Sequence, residues 1–149
     1  MGIYIGWEKK TPFATTLRLI PRALHLGLGC RRGTGAEIIR RAVNAVLDAH
    51  GIDPRAIRCA ASVDLKASEP GLLEYCAGEK LPVSFYCAEA LRAVPGEFAS
   101  SAFVERVAGV DNVCERAAMS GAERLIVKKT AVEGVTVALG AEHVEVRFA

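Results

Sequence analysis

Two arginines stand between glycines in Gly29-Cys30-Arg31-Arg32-Gly33-Thr34-Gly35, and residues of these types at this spacing suit the recognition of an acid. Guanidinium groups make forked, charge-assisted hydrogen bonds to carboxylates and phosphates. The alternation of Leu24-His25-Leu26-Gly27-Leu28 before the loop reads as a strand, and the segment after it reads as an amphipathic helix. A strand-to-helix loop presents free backbone N–H groups and the positive end of a helix dipole, both favourable to anions. The plainer reading is a tight turn with solvated arginines. Nucleotide fingerprints fail on residues. Gly27 and Gly29 begin a G-x-G-x-x-G run, but Arg32 stands where the third glycine is needed, and the Gly-Lys-Ser/Thr of a P-loop is missing.

Asp64, Lys66 and Glu69 form a second constellation. They follow the apolar run Ile57 to Val63, at the carboxyl end of an expected strand, where α/β folds usually hold ligands. A carboxylate beside a lysine suits acid–base work or a charged substrate. The bland reading is a surface ion pair plus a helix start at Glu69-Pro70, contributing about 0–1 kcal/mol. If this strand neighbours the one ending at Leu28, both loops face one crevice. Cys30, beside Arg31 at a helix N-terminus, is expected to have a lowered pKa or to be a small packed residue. His25, His50 and His143 have no metal-ligand neighbour at useful spacing, and Ser62 and Ser84 lack a nucleophile elbow.

The elements that must position these groups follow from periodicity. Strands are expected at Thr15 to Ile20 and Ala23 to Leu28, separated by Pro21-Arg22. Thr34 is expected to cap a helix reaching about His50, with Glu37 completing a capping box. Ile38, Ile39, Ala42, Val43, Val46 and Leu47 form its apolar face, with Arg40, Arg41, Asn44 and Asp48 opposite. Gly51 stops it. A helix is expected from Glu69-Pro70 to about Ala77, a third core strand over Leu81 to Tyr86, and helices near Ser100 to Val107 and Asn112 to Met119. Leu125 to Val127 and Val135 to Leu139 flank a turn at Glu133-Gly134, and His143 to Phe148 alternates as a last, half-exposed strand. Strands separated by helices, closed by a hairpin, predict a layered α/β fold with a mixed sheet.

Bulk properties bound the function. The chain has 149 residues, 51% hydrophobic and 24% charged, enough to bury a core in one domain. A net charge of +2 and 6% aromatic content argue against nucleic acid. Five cysteines in an odd count, with no CxxC pair, support neither a zinc site nor a disulfide framework, and a cytoplasmic location is expected. The N-terminus has the wrong charge order for a secretory signal, and no segment reaches the ~18 apolar residues of a membrane span.

Gly27-Leu28-Gly29-Cys30-Arg31-Arg32-Gly33-Thr34 resembles the signature of the CobE/CbiG C-terminal domain family of cobalamin biosynthesis. Ala61-Ser62-Val63-Asp64-Leu65-Lys66 with Glu69-Pro70-Gly71-Leu72 resembles the family's next block. Leu81-Pro82-Val83 with Phe85 is similar to the third, and Gly109 to Ala118, with Glu115, to the fourth. Leu125 to Lys129 and Val135 to Ala138 resemble the closing strands. The resemblance covers roughly residues 20 to 140 and implies a three-layer α/β/α domain over residues 17–149, with residues 1–16 an extension or linker remnant.

It also implies a part in building the corrin ring. The family's full-length hydrolase opens a δ-lactone of cobalt-precorrin-5A and releases acetaldehyde, and CobE is a short stand-alone protein. A corrin precursor, rich in acetate and propionate groups, is therefore the expected ligand, with cobalt entering only within the substrate and no resident metal or cofactor. Gly29, Cys30, Arg31, Arg32, Gly33, Thr34, Lys66 and Glu115 are the expected binding residues, with Asp64 and Glu69 as catalytic candidates. The alternative is a non-catalytic domain that docks another pathway enzyme, or the CbiG N-terminal region, and hands over substrate. No nucleic acid or membrane partner is expected.

Overall fold

A computed structural model describes residues 1–96 and 113–147. Its sheet is built on β3 (Leu24–Gly29), β4 (Ile57–Val63), β5 (Val83–Tyr86), β6 (Arg124–Val132) and β7 (Val135–Ala141), in the order β5-β4-β3-β7-β6. The β3, β4 and β5 strands are parallel, and β7 runs antiparallel to both β3 and β6. Four α-helices are described: α1 (Ala36–Ala49), α2 (Pro70–Gly78), α3 (Ala88–Arg92) and α4 (Val113–Met119).

The alternation in β3 assigns its two faces. Leu24, Leu26 and Leu28 join the main core beneath α1, whose Ile39, Val43, Val46 and Leu47 recur at helical spacing and are buried. His25, Gly27 and Gly29 face the other way. There α4 lies against the sheet so closely that a Cβ on Gly27 would overlap the carbonyl oxygen of Cys114. One on Gly140 would overlap that of Ala118. Helices on both faces make the expected three-layer α/β/α domain. Gly51 stops α1 in the left-handed region at φ 62°. Glu133 (φ 51°) and Gly134 (φ 81°) form the tight turn between β6 and β7.

Several expectations need correction. Thr34 does not cap α1: its hydroxyl turns back to donate to the Arg31 carbonyl (2.7 Å), and Gly35 takes the cap position with no side-chain bond. Glu37 consequently pairs with Arg40 instead of closing a capping box. Arg40 is half-buried, bonded also to Glu79 (3.0 Å) and set over the Tyr75 ring, so it clamps α1 to α2 and is not a solvent-facing residue. The strand over residues 83–86 is the sheet's outer edge and not a central strand. The α3 helix was not foreseen. The expected Ser100 to Val107 helix lies outside the described residues.

No strand forms over His143 to Arg147. The last ladder contact is Glu142 N–H to the Ala23 carbonyl (2.9 Å), and β3 begins there, so no neighbour extends far enough to pair. At the other terminus β1 (Gly2–Ile5) was unforeseen. It pairs in parallel with β2 (Thr16–Leu19) in a separate two-stranded sheet. Arg18 of β2 anchors that sheet to buried Asp53 (3.2 Å), and the Asp53 N–H donates to the Trp7 carbonyl (2.7 Å).

Candidate functional site

Because β3 and β4 are adjacent and parallel, their carboxyl ends open on the same edge. The loop at 30–35 and the loop at 64–69 therefore meet, as their positions after two core strands suggested. Glu69, buried to 9% exposure, accepts the Gly33 N–H at 2.7 Å and fastens one loop to the other. Ser62, buried in β4, donates to the Leu28 carbonyl at 2.6 Å just below. Gly71, in the first turn of α2, fits against Thr34 so tightly that a Cβ would overlap the Thr34 carbonyl oxygen. That approach holds the starts of α1 and α2 together.

The cations are left available. Arg31 and Arg32 are exposed, Lys66 is half-buried, and none of the three makes an ion pair among the described residues. Arg31 lies over Gly134 of the β6–β7 turn, whose Glu133 pairs instead with Arg41 (3.1 Å). Asp64 is exposed at the end of β4. The edge thus offers three positive side chains, one exposed carboxylate and a loop whose backbone is already fixed. An unpaired guanidinium on a fixed loop can grip a carboxylate with little further ordering cost.

Of the two readings of Cys30, the small packed residue holds and the lowered pKa does not. It packs against the main core, and burial raises its thiol pKa, opposed by nearby Lys66 and reinforced by Glu69. Desolvation disfavours the thiolate more than the neighbouring cation favours it. Glu115 is brought to the same edge by the first turn of α4 but points at β6, where its Oε2 accepts the Lys129 N–H (2.7 Å) at a break in the β6–β7 register. Gly29 lies against Thr136 of β7, where a Cβ would overlap the Thr136 hydroxyl.

A second polar cluster, at the opposite edge, escaped the sequence reading. His25 contacts Glu142 through Nε2 (3.0 Å) and Cys59 through Nδ1 (3.4 Å), and Arg58 pairs with Glu142 (3.1 Å). The only advance signal was a histidine alternating with leucines. Burial and the Glu142 charge raise the Cys59 thiol pKa against the pull of Arg58, and the Cys59–His25 contact bridges β3 and β4. Cys30, Cys59, Cys76 and Cys87 form no disulfide. Among the described residues no group of three ligating side chains could hold a metal ion, and no helix is long and apolar enough to cross a membrane.

Fold and edge together define a three-layer α/β domain with a basic loop at the carboxyl end of its parallel strands. The family described as "Cobalamin synthesis G C-terminus" matches residues 24–140, and the chain belongs to it, among cobalamin biosynthesis proteins. It is 40% identical to Protein CobE of Sinorhizobium sp over 121 residues, 78% of either chain. It is 35% identical to the cobalt-precorrin-5A hydrolase of Salmonella typhimurium over 127 residues, covering 85% of this chain but 36% of that one. The chain thus spans about a third of that hydrolase's length.

A crystal structure of CobE, from the cobalamin (vitamin B12) biosynthetic pathway, superposes with a TM-score of 0.74 at 30% identity, over 83% of this chain and 92% of that one. A cobalamin biosynthesis protein G homolog from Sulfolobus solfataricus shares the fold at a TM-score of 0.63 and 16% identity, over 95% of this chain and 44% of that one.

Proposed function

We propose that this chain binds a corrin-ring intermediate by its peripheral carboxylates, at the edge formed by the 30–35 and 64–69 loops. The observation that carries the reading is the pairing of a fixed loop with free cations: Glu69 holds the Gly33 N–H, while Arg31, Arg32 and Lys66 have no ion-pair partner among the described residues. Membership of a cobalamin biosynthesis family supports this choice of acid, since corrin precursors carry acetate and propionate arms. In this reading Arg31, Arg32 and Lys66 take the carboxylates, and Thr34 and the loop glycines shape the cradle. Asp64 is the carboxylate left exposed for proton transfer, and Glu69 is a positioning residue that fixes the loop. Glu115 acts from beneath by holding the β6 backbone.

Absorbance titration of the purified chain with late precorrins, with and without cobalt, tests the binding. Saturable spectral change at micromolar ligand supports it, and an unchanged spectrum contradicts it. A second reading, a substrate-handover domain without hydrolysis of its own, is favoured by the match to only 36% of the Salmonella hydrolase. An alcohol-dehydrogenase-coupled assay for acetaldehyde on cobalt-precorrin-5A separates the two. Handover predicts binding without turnover, and turnover by the chain alone would make Asp64 the leading general base.

A further inference from the structure

Parallel sheets occur almost only where both faces are covered, and two strands alone are marginal in water. The β1–β2 pair breaks both rules. It is parallel, it is two-stranded, and its strands are four residues long. The register sets Ile3 beside Leu17 and Ile5 beside Leu19, which places four aliphatic side chains on one face. Three of them are open to solvent: Ile3 at 55%, Leu17 at 56% and Leu19 at 43%. The opposite face carries Arg18 inward to Asp53, so the body of the domain covers only that side. From Ile5 the apolar surface continues into a groove of about 360 Å³ lined by Tyr4, Trp7, Pro21, Val144 and Val146. Clustered aliphatic exposure of this kind marks an interaction surface more often than a solvated one.

The coverage of the longer relatives bears on what would cover it. The family match begins at residue 24, beyond both strands. The Sulfolobus protein, however, shares its fold with 95% of this chain, a coverage that cannot be reached without part of the stretch before residue 24. That alignment occupies 44% of the longer protein, so its chain continues well beyond the shared domain. We infer that the Ile3, Ile5, Leu17 and Leu19 face is a docking surface for a polypeptide equivalent to the part of these longer relatives outside the match, which completes the β1–β2 sheet. The occupant is apolar at its contact and brings its own secondary structure. This inference does not depend on which molecule the arginine edge holds.

The probe is the part of the Salmonella typhimurium hydrolase outside the match, purified and mixed with this full chain. Sedimentation velocity and hydrogen–deuterium exchange read the outcome. A one-to-one complex is expected, with exchange at residues 2–5 and 16–19 slowed at least tenfold. Leu17→Asp should abolish it, and Arg31→Ala/Arg32→Ala should leave it intact. A fusion of the same hydrolase segment to the start of this chain provides a second reading if the free segment does not fold, and slowed exchange at the same residues is expected there. Exchange unchanged in both formats would overturn the inference, as would a complex indifferent to Leu17→Asp. A dimer of this chain alone that Leu17→Asp dissolves would assign the face to a second copy and also overturn it.

Discussion

The arginine edge and the β1–β2 sheet solve opposite problems with the same chain. The edge is polar, yet its carboxylates Glu69 and Glu115 are committed to backbone N–H groups and Asp64 is outnumbered by Arg31, Arg32 and Lys66, so the surplus on its surface is cationic. The β1–β2 sheet does the reverse. Its charges, Arg18 and Asp53, are turned inward and paired, and its surplus is aliphatic. In the proposed readings, the surplus of charge on a fixed loop takes an acidic ligand and the surplus of apolar area takes another polypeptide. One domain can therefore hold a ligand at one end and a protein at the other without either site disturbing the core between them.

Substitutions that perturb one region alone sharpen this contrast. The largest effect is expected from Gly71→Ala, whose Cβ would overlap the Thr34 carbonyl oxygen. Separating α2 from the loop should cost about 3 kcal/mol or more, the upper end of overpacking because the overlap is with backbone, and it should also abolish tight ligand binding. Urea denaturation and the absorbance titration measure the two effects. Unchanged stability would mean that the helix starts are not held together as described.

Glu69→Ala comes next. It removes the acceptor of the Gly33 N–H, and hydrogen bonds to charged groups contribute about 1.5–3 kcal/mol. Slower melting of the loop is not expected; faster amide exchange at Gly33 to Gly35 is, with β1–β2 unaffected. Equal exchange in both regions would break the contrast.

The smallest effect concerns pH and the other region. Hydrogen bonding from the Arg55 guanidinium holds the Asp53 carboxyl down at about 2, helped by the Arg55 N–H and the Arg18 charge and opposed by burial. A depressed carboxylate pKa contributes stability that is full above the unfolded value near 3.8 and is lost as pH falls toward 2. Asp53→Asn should therefore lower the Tm at pH 7 and flatten its fall between pH 4 and pH 2, as followed by circular dichroism. An unaltered pH profile would show that the ionised Asp53 carboxylate, with its Arg55 and Arg18 partners, contributes no stability.

How much of this was legible depended on how local the cause was. The Leu24, Leu26, Leu28 alternation and the Glu133-Gly134 turn are written in neighbouring residues, and both formed as read. The shared edge was legible because each polar cluster directly follows a core strand. The tie between them was not, since nothing local says that Glu69 reaches the Gly33 N–H. Thr34 had two partners in reach, the helix start and the Arg31 carbonyl, and it took the second. Alternation over His143 to Arg147 was genuine, but a strand also needs a neighbour, and the sheet ends before it. The close approach of α4 to Gly27 and the parallel pairing of β1 with β2 are long-range facts with no local signature.

The central claim is that the free cations of the 30–35 loop hold the acidic arms of a corrin intermediate. Calorimetric titration of the wild-type chain, Arg31→Ala, Arg32→Ala and Arg22→Ala at two salt concentrations tests it most directly. Arg22 is exposed just before β3, at the opposite edge, and serves as the control. Each loop substitution should weaken binding roughly tenfold or more and reduce its salt dependence, with Arg22→Ala equal to wild type. If all four proteins bind alike, the loop is a structural turn and the acid-binding edge does not exist.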